Sequence, residues 1–368
     1  MNGAFPSDVR PRTAPLRIVI LTPGTRGGVG RMMHYLRDSA DMPADLRLKL
    51  FSTHGAMLGS IVTFPFRLVH FALLCATRRV DLCHLNLASR GSTLRKACYA
   101  ALCRLFRTPY IVHLHGGGYR EFFAGRGRSG KAIVRRLFLG ARRVIVLGGP
   151  WRDFVRDEIG VPEARIAILA NTVEGPKNIS EADRLSPPGI LFLGLLRPEK
   201  GIDVLLEALA DPALGACEWS AVLAGDGDVG RYAEEIASLR LSERISLPGW
   251  CAQDRVRSLL RQSSILVLPS FVENLPLALL EAMAYGLCTV VTPVGAIPDI
   301  VHDAENGLIV PPGDPAALAG ALVRVLSDAS LRASMGKNAR ATFEAGYDIK
   351  GYARRLGEIY RAAIAETS

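Results

Sequence analysis

Over the first 150 residues, short apolar runs alternate with longer stretches in which apolar positions recur every three or four residues. "LRIVILTP" reads as a strand, followed by a glycine-rich turn and a helix from Val29. "VDLCHLNL", "PYIVHLHGGG" and "ARRVIVLG" read as further strands. Runs this apolar suit strands buried on both faces, and their alternation with helical stretches predicts a parallel sheet covered by helices. The periodicity stops over "NTVEGPKNISEADRLSPPG", residues 171–189, which is polar and rich in Pro and Gly, the composition of a connection between domains.

The same rhythm then restarts. "GILFLGLL", "WSAVLAG", "RISLPGW", "SILVLPS" and "CTVVTP" read as strands. "KGIDVLLEALA", "DRVRSLLRQS", "PAALAGALVRVLSD" and "SLRASMGKNARATFEAG" read as helices, with "YDIKGYARRLGEIYRAAIA" the last. The predicted fold class is α/β: two Rossmann-like, doubly wound domains facing a cleft, where ligands meet the C-terminal ends of the strands. The domains run over 1–174 and 188–345, joined by a linker at 175–187. The helix of 346–368 is expected to pack back toward the first domain. "AMLGSIVTFPFRLVHFALLCA", residues 56–76, is the nearest approach to a membrane span, but Pro65, Arg67 and His70 interrupt it. It reads as a half-buried helix or an amphipathic surface segment.

A length of 368 residues, 49% of them hydrophobic, suits two folded domains and excludes a disordered chain. The seven cysteines are scattered, with no Cys-x-x-Cys pair, so neither a disulfide framework nor a zinc site is indicated. No apolar leader is visible at the N-terminus, and the expected compartment is the cytoplasm. Charge divides sharply. Residues 1–185 carry 29 Lys+Arg against 13 Asp+Glu, a net of +16, whereas the remainder carries 16 against 22, a net of −6. An anionic partner is therefore expected for the N-terminal half alone. Aromatic residues are too thinly interleaved for a single-strand binder, which favours an anionic membrane surface over nucleic acid.

Candidate chemistry concentrates in "SFVENLPLALLEAMAYG", where Glu273 and Glu281 stand eight apart. A helix beginning at Asn274 or Leu275, with Asn274 as cap and Pro276 in the first turn, would put Glu273 beside free helix N–H groups that attract an anion such as phosphate. Glu281, two turns in on an apolar helix, would need hydrogen-bond donors, which sugar or ribose hydroxyls supply. "GDGDVG", residues 225–230, matches a dinucleotide-binding spacing, but the following strand ends in Pro248–Gly249 without the acid that would hold a ribose. Its Asp226 and Asp228 resemble a metal-binding pair without a third ligand and read better as a turn.

"PSFVENLPLALLEAMAYG" resembles the E-x7-E region of the family 4 retaining glycosyltransferases, which have the GT-B fold of two Rossmann-like domains. "GGVG" at 27–30, "VHLHGG", "ILANTVE", "FLGLLRPEKG" and "VTPVGAIPDIVHDAENGLIVPPGD" are similar to other segments of that family, in the same order and over nearly the whole chain. The resemblance implies a role for each matched position. Glu281 would hold the ribose and Glu273 the donor sugar, with backbone N–H groups of Asn274 and Leu275 nearby. Lys200 would neutralise the diphosphate, Gly28 would let the backbone approach it, and His115 would reach the donor sugar. The family's arginine after Gly194 is Leu195 here; Arg197, two positions on at the same strand parity, can stand in for it. Thr172 and Glu174 also depart from the family's Asn-Gly-Val-Asp pattern.

The activity implied by the resemblance is retaining transfer of a hexose-type sugar from a nucleoside diphosphate donor to an acceptor hydroxyl, with no cofactor and no metal. The acceptor expected is a lipid-linked glycan of bacterial surface-polysaccharide assembly, met at the inner face of the plasma membrane; no nucleic acid is expected. Two alternatives stand beside this: a nucleotide-sugar epimerase on the same fold, and a nucleotide-sugar-binding protein without catalysis.

Overall fold

Residues 14–22, 28–53, 60–89, 91–180 and 184–365 are described by the computed structural model. Among the described residues, twelve strands form two sheets of six. The first holds β1 (Leu16–Thr22), β2 (Leu46–Ser52), β3 (Leu82–Leu87), β4 (Tyr110–Leu114), β5 (Val144–Val146) and β6 (Ile166–Ile168), in the order β2-β1-β3-β4-β5-β6. The second holds β7 (Gly189–Leu193), β8 (Ser220–Ala224), β9 (Ile245–Gly249), β10 (Ile265–Leu268), β11 (Cys288–Val291) and β12 (Leu308–Ile309), in the order β12-β11-β10-β7-β8-β9. Neighbouring strands pair in parallel throughout. In the second sheet the order reverses between β7 and β10, the switch point at which open α/β sheets bind ligands.

Alternation along β1 builds both layers of the first domain. Val19 and Leu21 point into a core shared with Phe71, Tyr99 and Phe138. Ile18 and Ile20 point the other way, against Met32, Met33, Leu356 and Tyr360. The last helix, Ile349–Ala365, therefore completes the core of the domain formed first in sequence, and Arg361 pairs with Asp45 at 2.7 Å on its rim.

Three strands go beyond the sequence reading: β2, β6 and β12. All lie at sheet edges or are very short. In β2 the apolar run is broken by Arg47 and Lys49, and none of the three residues of β6 is fully buried. An edge strand has one side open to water and loses the uniform apolar signature of central strands.

Candidate active site

The helix within the E-x7-E stretch runs Leu277–Ala284, with Pro276 in the capping position, rather than starting at Asn274 or Leu275. A residue preceding proline is pushed out of the helical region, so Leu275 stays outside the helix, which starts after Pro276. Asn274 is not the cap. Its side-chain amide instead donates across the cleft to the carbonyl of Leu114 at the end of β4, at 3.2 Å.

That leaves Glu273 in a loop held at both ends. The Thr292 hydroxyl donates to the Ser270 carbonyl at 2.6 Å, and the Phe271 N–H donates to the Glu199 carbonyl at 3.0 Å. The second bond ties this loop to the short 3-10 turn Pro198–Lys200 after β7. The tie brings two distant parts of the chain into one pair: the Lys200 ammonium lies 2.6 Å from Oε1 of Glu273, which also accepts from the Ser270 hydroxyl at 3.0 Å. Both side chains are largely covered, yet neither is sealed. Among the described residues, no other group takes a hydrogen bond from the backbone N–H of Asn274 or Leu275, the two amides next to this pair.

The peptide joining Glu273 and Asn274 is gripped between two glycines. On the first domain, a Cβ at Gly117 would lie 2.6 Å from the carbonyl carbon of Glu273. On the second, Gly295 has φ of +63° and packs on the carbonyls of Glu273 and Asn274. Side chains at either position would collide with backbone. A second bond across the cleft runs from the Asn171 amide to the Leu275 carbonyl, at 2.8 Å.

Facing this loop is the polar end of the first sheet. His115 follows β4, and its Nε2 meets Oδ1 of Asn86 on β3 at 2.8 Å. With that oxygen as acceptor, Nε2 carries the proton and Nδ1 is left as an acceptor. Nδ1 is buried and unpartnered, as are the Asn86 amide nitrogen and the side-chain oxygens of Asn171 and Asn274. Buried polar atoms are rarely left without partners in a protein, so four around one cleft suit a ligand rich in hydroxyls. Behind His115, the His113 ring lies 3.9 Å away between centroids; His84 then contacts Nδ1 of His113 at 3.2 Å and the Tyr360 hydroxyl at 2.7 Å. Burial holds the His115 and His84 imidazoles down to about 3 and pushes His113 well below the ordinary imidazole value. All three rings are neutral near pH 7, so His115 serves as a hydrogen-bonding group there and not as a cationic acid.

The other sequence candidates are placed less centrally. Glu281 is half-buried in its helix, more open than an apolar stretch suggests. Leu196 is fully buried and bridged to Gly227, which leaves Leu195 and Arg197 on the exposed side together. The Arg197 guanidinium sits 3.8 Å from Glu199 and takes no part in the Lys200–Glu273 pair. Gly28 opens the helix Gly28–Asp38; the preceding loop, with Gly27, lies outside the described residues. The Asp226-Gly227-Asp228 turn is a backbone clasp: the Leu196 N–H donates to the Asp226 carbonyl at 2.7 Å, and the Leu196 carbonyl accepts from the Asp228 N–H at 3.0 Å. Among the described residues, no three His, Cys, Asp or Glu side chains gather as a metal site would require.

Sequence reasoning passed over Asn86, His84, His113 and Asn171. A signal for three of them was present. "CHLNL" and "VHLHG" place a polar residue at every second position of strands that are otherwise apolar, and such residues share one face of the sheet.

Two family models cover most of the chain: the glycosyl transferase 4-like domain matches residues 12–172 and glycosyl transferases group 1 matches 177–342. An uncharacterized glycosyltransferase of Methanocaldococcus jannaschii is 31% identical over 262 residues, 71% of this chain and 70% of that protein. The chain belongs to the family 4-type glycosyltransferases of GT-B fold. Among solved structures, this glycosyltransferase is similar to sucrose-phosphate synthase from Thermosynechococcus elongatus, with a TM-score of 0.78 and 19% identity over 96% of this chain and 100% of the other. It is also similar to Anabaena HepE in complex with UDP, with a TM-score of 0.72 and 17% identity over 93% and 98% of the two chains. At such identities the likeness speaks for the fold of the enzyme.

Proposed function

We propose that this glycosyltransferase moves a hexose-type sugar, with retention, from a nucleoside diphosphate donor to a hydroxyl of a lipid-linked glycan in bacterial surface-polysaccharide synthesis, at the inner face of the plasma membrane. The observation that carries the reading is the Lys200–Glu273 pair, held at the C-terminal ends of β7 and β10 and facing His115 and Asn86. When the bond from the sugar to the diphosphate breaks, the electron pair leaves with the phosphate. Lys200 is a compact positive charge already positioned for it, beside the Asn274 and Leu275 amides, and charge stabilisation of this kind commonly contributes more to catalysis than any other effect. Glu273 orients Lys200 and meets the donor sugar. Neutral His115 accepts from a sugar hydroxyl, Glu281 takes the ribose, and Gly28 admits the diphosphate. Arg197 adds positive potential at the cleft mouth. No metal enters this scheme. The acceptor is assigned from the N-terminal excess of basic residues.

The test is a binding screen of UDP-, GDP- and ADP-sugars, followed by turnover with a lipid extract. A labelled glycolipid with the donor's anomeric configuration supports the reading. An epimer or free sugar formed from donor alone would establish the epimerase, and tight donor binding without any product would establish a binding protein.

A further inference from the structure

Three helices lie side by side on one face of the first sheet: Ser60–Ala76, Gly91–Leu105 and Arg128–Leu139. Their inner sides are buried through Phe71 and Cys75, Tyr99 and Cys103, and Val134 and Phe138. The outer side of such a helix is normally polar. Here it is not. Phe66 (74% exposed), Val69 and Leu73 form an outward row at i, i+3 and i+7 of the first helix. Leu94 and Leu105 (71% exposed), with Cys98 and Ala101 between them, form a second row on the next. Exposed Ile133 and Leu139 continue the apolar surface on the third.

Between the second and third helices runs a groove of about 640 Å³ lined by Arg104, Arg128, Lys131, Arg135 and Arg136. None of these five cations forms an ion pair with a described carboxylate, and the nearby Glu158 is taken by Arg120 at 2.8 Å. The three helices contain no Asp or Glu at all. Five like charges gathered without a counter-charge repel one another, an arrangement that an anionic partner relieves. Exposed apolar rows flanked by Arg and Lys and free of acids are the composition of a surface that lies in a membrane interface. A partner protein would need a matching acidic and apolar surface, whereas a leaflet containing anionic lipid supplies both at once over a broad area.

We propose that this three-helix face seats on an anionic leaflet by shallow insertion: the apolar rows enter the acyl boundary while the arginine groove gathers lipid phosphates. Its purpose, delivery of a lipid-linked acceptor, rests on the function proposed above; the docking itself is measured without donor or acceptor. Because apolar burial is not screened by salt, docking should have two parts, one lost at high ionic strength and one that persists.

Sedimentation of the full chain with vesicles tests this, using phosphatidylcholine alone and phosphatidylcholine mixed with phosphatidylglycerol. Binding should require phosphatidylglycerol at low salt, and a residual fraction should survive high salt. The exposed-row variant F66S/V69S/L73S should lose that residual fraction. The variant R128E/K131E should weaken low-salt partitioning at least about tenfold, since each basic residue near an anionic surface contributes about 1 kcal/mol. Circular dichroism and nucleotide-sugar binding serve as checks that both variants fold; wild-type donor binding reports on the transferase reading and not on the docking. Three results would each overturn the proposal: no sedimentation with phosphatidylglycerol vesicles, equal binding by wild type and both folded variants, or a stable dimer that the apolar-row variant breaks, which would make a second copy the occupant.

Discussion

The ammonium of Lys200 and Oε1 of Glu273 lie 2.6 Å apart, although the two residues stand 73 positions apart in the chain. The contact exists because the Phe271 N–H to Glu199 bond stitches the loop after β10 to the turn after β7. Removing a preorganised charge donor of this kind typically costs about 10²–10³ in kcat. Lys200→Ala should show that loss with a small change in donor KM, because the leaving charge develops mainly in the transition state. An unchanged kcat would show that Lys200 serves only to hold Glu273.

Glu281→Ala should act on the ground state instead. Hydrogen bonds to charged groups contribute about 1.5–3 kcal/mol, so calorimetry should report nucleotide affinity falling roughly tenfold to 150-fold with the fold intact. Unaltered affinity in a folded variant would remove Glu281 from the ribose site.

Gly117→Ala tests the closure of the cleft. The added carbon would meet the Glu273 carbonyl carbon at 2.6 Å, so the loop and the first domain must separate. A displacement of about 1 Å at a reacting centre can cost about 10² in rate. Turnover should fall on that scale while the melting temperature of the enzyme barely moves. A fully active Gly117→Ala enzyme would mean that turnover does not require this contact.

The three neutral histidines make stability depend on pH. His84 and His115 are held down to about 3, and His113 is also held well down, against an ordinary value near 6.5. Below that value the unfolded chain takes up protons that the folded chain refuses, so stability falls as pH drops from about 6.5 toward 3. At pH 5 the loss is about 2 kcal/mol for each buried ring as an upper bound. Urea titrations at pH 7 and pH 5 should show it, and His84→Asn should flatten the slope. A pH-independent midpoint across this range would mean that the rings protonate in place.

Activity should survive EDTA. Lys200 and the Asn274 and Leu275 amides supply positive potential at the proposed diphosphate position, and no triad of metal-ligating side chains is found among the described residues. Loss of turnover with EDTA and its return with Mg²⁺ or Mn²⁺ would transfer the task to an ion, with Asp226 and Asp228 as the first residues to test.

The central strands, the helices between them and the polar break were legible from sequence, because burial on both faces and amphipathic packing are local patterns of residue type. Glu281 was legible as chemistry, since a charged residue in an apolar run stands out along the chain, whereas Lys200 was marked only by the family likeness of the segment "FLGLLRPEKG". Other features were decided only by the fold. Which residue capped the helix depended on Pro276 and on the Leu114 carbonyl, which lies 160 residues from Asn274 and claims its amide. Whether Arg197 could join Lys200 depended on which side of the clasp at Leu196 it faced. The chain of contacts from Tyr360 through His84 and His113 to His115 needed the last helix to cross back under the first sheet, and no local pattern records such a return. The basic excess was plain in composition; that it faces outward among apolar rows was not. A sequence states how apolar each position is, but only packing selects which apolar positions are covered.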